Sequence, residues 1–544
     1  MALGLVNPYL SKLIIDRAYV NKDVKLFISL VMLAGVIFVL TAILKGAGDY
    51  LNRYIRLRIG LKLEQKVFKK LQGLSYRYFQ NNSTGEHLYK ISYDIERAVQ
   101  FISGLFPQFI SLIPKSLFIF GIILYLHPKM ALLALLSVPF LYILPYYFTI
   151  RLNSLLRKWI ENSQAVFKKL YEILSHIQLI KAYGKEKRHI KEYISGLISN
   201  VRFRLMSARL EVAGSFMNSL TNRAVLGLII FYGGYQVIKG RMTLGSLSAI
   251  AIYLSQLAGL QTSLAFYFQQ ISEGLVSCDR LGEILDSKPD FVENRHAREI
   301  FFPKGDIAFK GVTFGYQQDK IVLNNLNFDI KGGSCIALTG PSGCGKTTII
   351  NLILRLYQPL NGEITIDGNN INNIKSVSLY EQIGVVLQEP YLWDDTIANN
   401  IRYGDEKAGF RDIEIAAEVI CIHGFINGLV QGYDTVIGEN ACKISEGQKQ
   451  RIAIARAVIK KPRILILYEA LSSVDTELEE KIISNIRAFL NRSTIIVISH
   501  RPSTIQKTDL VYFLSSSDKI ETGVYGELLE KNAQYQNYLA LENK

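Results

Sequence analysis

"GPSGCGKTT" spans residues 340–348, and its reading decides the fold of the C-terminal half. It matches G-x-x-x-x-G-K-[ST] and stands where that pattern needs to stand. The apolar run "SCIALTG" (334–340) leads into it as a strand, and "KTTIINLILRLYQ" (346–358) leaves it as a helix. Gly340, Gly343 and Gly345 free the backbone to curl its N–H groups around phosphates, and the start of the helix adds positive potential. Lys346 is positioned to reach the β and γ phosphates of a nucleotide, and the Thr347 hydroxyl to ligate magnesium. Pro341, Ser342, Cys344 and Thr348 complete the loop. Short apolar runs alternating with helical runs on either side predict an α/β domain with a largely parallel core sheet.

Upstream the composition changes. The 544 residues are too many for one ordinary core, and 49% hydrophobic against 20% charged is richer than a soluble enzyme. Long apolar runs occupy 26–44, 105–126, 130–150, 217–238 and 244–268, each near the ~20 residues that cross a bilayer as a helix. The opening "ALGLVNPYLSKLIIDRAYV" is shorter and holds Asn7, Lys12 and Asp16; it reads as the end of a helix whose beginning is missing. Two long polar stretches, 45–104 and 151–215, hold 24 Lys and Arg, whereas the short loops opposite hold five. That asymmetry directs the long stretches to the cytoplasm. It also explains much of the net charge of +15 without nucleic acid. Cys278, Cys335, Cys344, Cys421 and Cys442 form no CxxC pair and read as reduced thiols in a cytosolic compartment. The expected division is a membrane domain at 1–285, a polar linker at 286–305 and an α/β domain at 306–544.

Four further motifs accompany the phosphate loop in order: "GVTFGY" (311–316), "VVLQEP" (385–390), "ISEGQKQRIAIARAVIKKPRILILYEALSSVD" (444–475) and "IIVISHR" (495–501). With these the chain resembles a half-subunit of an ABC transporter of the exporter type, also called type IV. Such a subunit has a six-helix, all-α membrane domain followed by an α/β ATP-binding cassette. The resemblance implies that Tyr316 stacks on adenine and that residues 340–348 hold the phosphates. Gln388 then meets magnesium and the attacking water, Glu469 is the general base, and His500 meets the γ-phosphate. Asp475 belongs to the loop that crosses the dimer. Ser445, Gly447 and Gln448 close over the ATP of a partner cassette, so the chain needs a second half-transporter, as homodimer or heterodimer. The polar stretches resemble the family's intracellular loops, whose short helices dock on the cassettes. ATP and Mg²⁺ are the implied cofactors, with Thr347 and Gln388 as metal ligands.

Two positions depart from the family. Its nucleotide-binding strand ends in Asp-Glu; here it ends in Tyr468-Glu469. A phenol gives no anion at neutral pH, so magnesium should sit less well while the base survives. The signature reads "ISEGQ", with Glu446 in place of a glycine. A carboxylate facing the partner's γ-phosphate adds repulsion of roughly 1 kcal/mol at ~4 Å in water and about 4 near a protein surface. The two departures fall in different composite sites, Tyr468 in the chain's own and Glu446 in the partner's. A degenerate heterodimer half, a drifted or misread gene and a slow working pump all remain open. Of the histidines, His87, His127, His176, His189, His296 and His423 lack such context and read as surface or packing residues.

The expected function is ATP-driven export as one half of a dimeric exporter, with impaired hydrolysis. The alternative is a catalytically degenerate partner that binds ATP to gate or regulate. A soluble cassette protein of DNA repair or translation is disfavoured by the five long apolar runs. The expected setting is the plasma (inner) membrane, cassette in the cytoplasm, with a lipid-like or peptide cargo. Lys115 and Arg223, inside apolar segments, are candidates to line a cavity for anionic amphiphiles; snorkelling to the headgroups is the equal alternative.

Overall fold

The computed structural model describes residues 2–82, 84–288, 293–294, 296–317, 320–438 and 444–542. Cys442 lies outside them. The chain divides into two compact units, Met1–Leu74 with Tyr78–Lys288, and Ser75–Arg77 with Pro289–Lys544.

The first unit is all helix. Its long members are Val24–Gln72, Phe106–Leu126, Pro128–Ser175, Glu186–Ile238 and Leu244–Asp286. The 49 residues of the first rise about 1.5 Å each, roughly 74 Å in all. That is more than twice the ~30 Å of a bilayer's hydrocarbon. The apolar run and the basic stretch after it are therefore one unbroken rod, long enough to extend well beyond a bilayer's hydrocarbon. Val24–Gln72 and Thr84–Leu126 are long and apolar enough to cross a membrane among the described residues, and Leu244–Leu260 is a shorter apolar helix. Helix ends follow local chemistry. Asp23 accepts from the Leu26 N–H at 3.0 Å to start the first rod. Pro128 opens the helix after the break at His127.

The opening residues are helical from Ala2 to Tyr19 in three consecutive pieces. Asp16, which counted against a membrane span in the sequence, has a structural use. Its carboxylate accepts from the Gly245 N–H at 2.9 Å and from the Thr243 hydroxyl at 2.7 Å, capping Leu244–Asp286 from a neighbouring helix. Gly245 permits the approach, since a Cβ there would lie 2.6 Å from Asp16 Oδ1. Asp16→Ala should lower stability by about 1 kcal/mol, read as a lower melting midpoint in detergent, with Asp16→Asn in between. A second polar knot, Asp94, is fully buried: it accepts from the Ser277 hydroxyl at 2.9 Å and lies 3.8 Å from Arg280.

The second unit is α/β with two sheets. A six-stranded sheet runs in the order Ile520–Gly523, Leu510–Leu514, Cys335–Thr339, Thr494–Ile498, Ile464–Tyr468, Ile383–Val386; all are parallel except the first, which pairs antiparallel. The strands Cys335–Thr339 and Thr494–Ile498 are buried at every position, as expected of a parallel sheet covered on both faces. A four-stranded antiparallel sheet is ordered Leu323–Ile330, Ile307–Phe314, Asn361–Ile366, Asn369–Asn370. Its strand Ile307–Phe314 alternates buried with more exposed positions, the pattern of a half-covered strand. The parallel register sets Tyr468 opposite Ile498 and Leu338 opposite the same residue. Three functional loops therefore leave one edge of the sheet side by side, at the carboxyl ends of the strands.

Candidate nucleotide site

The phosphate loop follows Thr339 directly. Gly340 sits at φ +149°, and a Cβ there would lie 2.4 Å from the Leu514 carbonyl oxygen, so only glycine fits. Gly345, at φ +112°, ends the loop where the helix Lys346–Ile353 begins. The Lys346 ammonium is buried and donates to the carbonyls of Gly340 and Pro341, the latter at 2.9 Å, which fixes it beneath the loop. Cys344 Sγ lies 3.9 Å from that ammonium. Burial pushes its thiol pKa up, more than the nearby charge lowers it, so it stays neutral beside any phosphate.

Around the loop opens a cleft of about 630 Å³. Ser342, Gly343, Gly345, Lys346, Thr347 and Thr348 line it, together with Tyr316, Gln388, Tyr468, Glu469 and His500. Every catalytic and metal-binding candidate from the sequence is thus in one place. Tyr316 stands at its rim, its hydroxyl 3.1 Å from Thr348 Oγ1, its ring edge-on to Tyr357. Thr347 Oγ1 lies 2.8 Å from the Tyr468 hydroxyl, so the two hydroxyls are hydrogen-bonded at the wall of the cleft.

Glu469 is the one acid among the described residues that line the cleft, and it is tightly held. Its backbone is left-handed at φ +46°, a conformation costing of order 1 kcal/mol or more for a residue with a side chain. The bond from its N–H to the Ile498 carbonyl, 2.9 Å, holds it there. Gln388 Nε2 donates to Oε2 at 2.9 Å, and His500 Nε2 lies 3.1 Å from Oε1. His500 Nδ1 is 2.6 Å from the Tyr538 hydroxyl, which accepts from Thr339 at 3.1 Å. With its oxygen receiving the threonine proton, the Tyr538 hydroxyl can donate its own to Nδ1. A neutral imidazole that accepts from Tyr538 at Nδ1 carries its proton on Nε2, the atom that faces Glu469.

Ser445, Gly447 and Gln448 do not line this cleft; they begin the helix Glu446–Val458. Ser445 and Gln448 cap one another, the Ser445 N–H donating to Gln448 Oε1 at 2.9 Å and the Gln448 N–H to Ser445 Oγ at 3.4 Å. A Cβ on Gly447 would meet the Ser473 carbonyl at 2.9 Å. Glu446 is exposed, 3.8 Å from Lys449. Asp475 caps Thr476–Phe489 by accepting from the Leu478 N–H at 3.2 Å. Arg501 ties the segment between them, donating to Val474 O at 2.7 Å and Glu479 at 2.9 Å. His87 is buried and stacks on Tyr78, a packing residue.

Residues 2–261 match the family described as "ABC transporter transmembrane region", and residues 323–472 match "ABC transporter". The chain belongs to the ABC transporters. It is 31% identical to an ATP-dependent lipid A-core flippase of Syntrophus aciditrophicus over 548 residues, 99% of this chain and 89% of the flippase. It is 30% identical to a leukotoxin translocation ATP-binding protein of Bibersteinia trehalosi over 545 residues, 98% of this chain and 75% of that one. A bacterial Atm1-family ABC exporter solved with ATP bound superposes with a TM-score of 0.89 at 27% identity, covering 100% of this chain and 97% of that one. This ABC transporter joins one helical transmembrane domain to one α/β cassette, the exporter half-transporter arrangement, and couples ATP hydrolysis to export. Half-transporters of this kind dimerise and act in the lipid bilayer.

Tyr538 is a contact of the candidate site that the motifs missed. It lies on the helix Ala533–Glu542, and nothing around it in sequence marks it. In this transporter Tyr538→Phe removes the hydroxyl's two hydrogen bonds, with Thr339 and with His500; loss of the one that orients His500, worth about 1 kcal/mol, should slow ATP turnover roughly fivefold. The KM for ATP should change little. Steady-state hydrolysis by the purified transporter decides it.

Proposed function

We propose that this chain forms a dimeric exporter whose two ATP sites are each completed by the partner's signature segment, and that its hydrolysis is slow. The membrane domain corresponds to about 1–285, the cassette to about 306–544. The membrane is the plasma (inner) membrane, with the cassette in the cytoplasm, in keeping with the basic stretches at 45–104 and 151–215. The observation that carries the reading is Glu469, aimed into the cleft of the phosphate loop and fixed by Gln388 and His500.

In this reading Tyr316 packs on adenine, the loop N–H groups and Lys346 bind phosphate, and Gln388 orients the attacking water. Glu469 takes the water's proton, and His500 donates to the γ-phosphate. Ser445, Gly447 and Gln448 serve the partner's nucleotide, and Lys449 offsets part of the charge that Glu446 brings there. The protein's own residues suit magnesium incompletely. Thr347 and Gln388 offer neutral oxygens, Thr347 is already bonded to Tyr468, and no cluster of three or more His, Cys, Asp or Glu that could hold a metal occurs among the described residues. Magnesium, when bound, would neutralise charge on the phosphates.

The relatives that move lipid A-core and leukotoxin support a lipid-like or peptide cargo. Homodimer and heterodimer are separated by one experiment. The purified chain is reconstituted alone, and ATP hydrolysis and movement of a fluorescent lipid and of a labelled peptide are followed. A homodimer gives activity that Lys346→Ala abolishes. A silent chain that binds ATP and gains activity only with a second half-transporter is the degenerate partner, a reading that Tyr468 beside Thr347 favours. No saturable ATP binding would sink both.

A further inference from the structure

We propose that Tyr468 takes over part of magnesium's task, so that this cassette binds ATP almost equally well with and without a divalent cation. The inference rests on reading the cleft as an ATP site and concerns how that site meets the phosphates. Thr347 Oγ1 and the Tyr468 hydroxyl are 2.8 Å apart at the wall of the cleft. A carboxylate at this position only accepts hydrogen bonds, and it reaches an anionic phosphate through a cation or its water. A phenol donates as well as accepts. When Thr347 gives its proton to the phenol oxygen, the phenol proton is free to point into the cleft, where a phosphate oxygen can take it directly.

The charges agree with this. The cleft is lined by the acid Glu469 and by the cations Lys346 and Lys320, with His500 beside them. With an aspartate at 468 the lining would carry a second negative charge against a polyanionic ligand, and a divalent cation would be needed to offset it. With tyrosine that charge is gone and a donor stands in its place. The ion gains less by binding here and the metal-free nucleotide loses less.

The test is a titration of the full chain in nanodiscs with a fluorescent ATP analogue, once in excess EDTA and once in millimolar Mg²⁺. For the wild type the two Kd values should agree within about threefold. Tyr468→Asp should restore a cation requirement, with EDTA weakening binding about tenfold or more, as loss of one charge-assisted contact does. Tyr468→Phe, which keeps the ring and drops the donor, should bind about fivefold more weakly in EDTA. A wild-type ratio of tenfold or more overturns the proposal, and so does Tyr468→Phe indistinguishable from wild type in EDTA; neither result needs Tyr468→Asp to fold. Absence of saturable binding in both buffers, with Lys346→Ala behaving alike, overturns the ATP site itself and this proposal with it.

Discussion

Glu469→Gln should hold ATP and lose at least about a hundredfold of whatever turnover the wild type shows, since a positioned general base contributes some 10²–10⁴. The structure makes this a clean substitution. Glutamine keeps the length of the side chain and one acceptor oxygen, so the His500 contact to Oε1 survives. Gln388 would then face an amide where it now donates to Oε2, and one of the two amides must turn. What is removed is the site for the proton of the attacking water. Nucleotide affinity should stay within about threefold, because the phosphate contacts come from the loop and Lys346. Single-turnover hydrolysis beside equilibrium binding separates the two. A variant that hydrolyses at the wild-type rate would move the base elsewhere.

Gly340→Ala should weaken nucleotide binding more than tenfold. Two costs combine. A side chain at φ +149° is strained by about 1–3 kcal/mol. The new methyl would also lie 2.4 Å from the Leu514 carbonyl, backbone that belongs to the central sheet. The sheet is the stiffer partner, so the loop shifts, and the carbonyls that fix Lys346 shift with it. An affinity loss above tenfold, with a melting point only a few degrees lower, is the expected pair of results. Gly343→Ala is the contrast. Its backbone is also left-handed, but nothing lies within 4 Å of its Cβ, so strain acts there without collision and the loss should be smaller.

Most of the site was legible because its chemistry is local. The loop, Glu469, Gln388 and His500 each sit at the end of a strand, and neighbouring parallel strands bring such ends together. The same locality explains what was not legible. Tyr538 reaches His500 only after the chain has folded back across the sheet, so no spacing announces it. Asp16 read as a polar fault in an apolar run because its partners, Thr243 and Gly245, are more than 220 residues away. In the membrane domain, polarity marked where the medium changes; the helices run through those changes because backbone hydrogen bonding does not depend on the medium. The sequence predicts a largely parallel core sheet, and the separate antiparallel sheet built on Ile307–Phe314 was not foreseen.

The link from Thr339 through Tyr538 to His500 has a consequence for biosynthesis. Tyr538 leaves the ribosome 38 residues after the imidazole it orients. Until then a nascent cassette can carry every recognisable motif while its histidine lacks the bond to Tyr538. A gene interrupted anywhere in that interval would still be scored as intact by a motif scan, yet its product would be a poor engine.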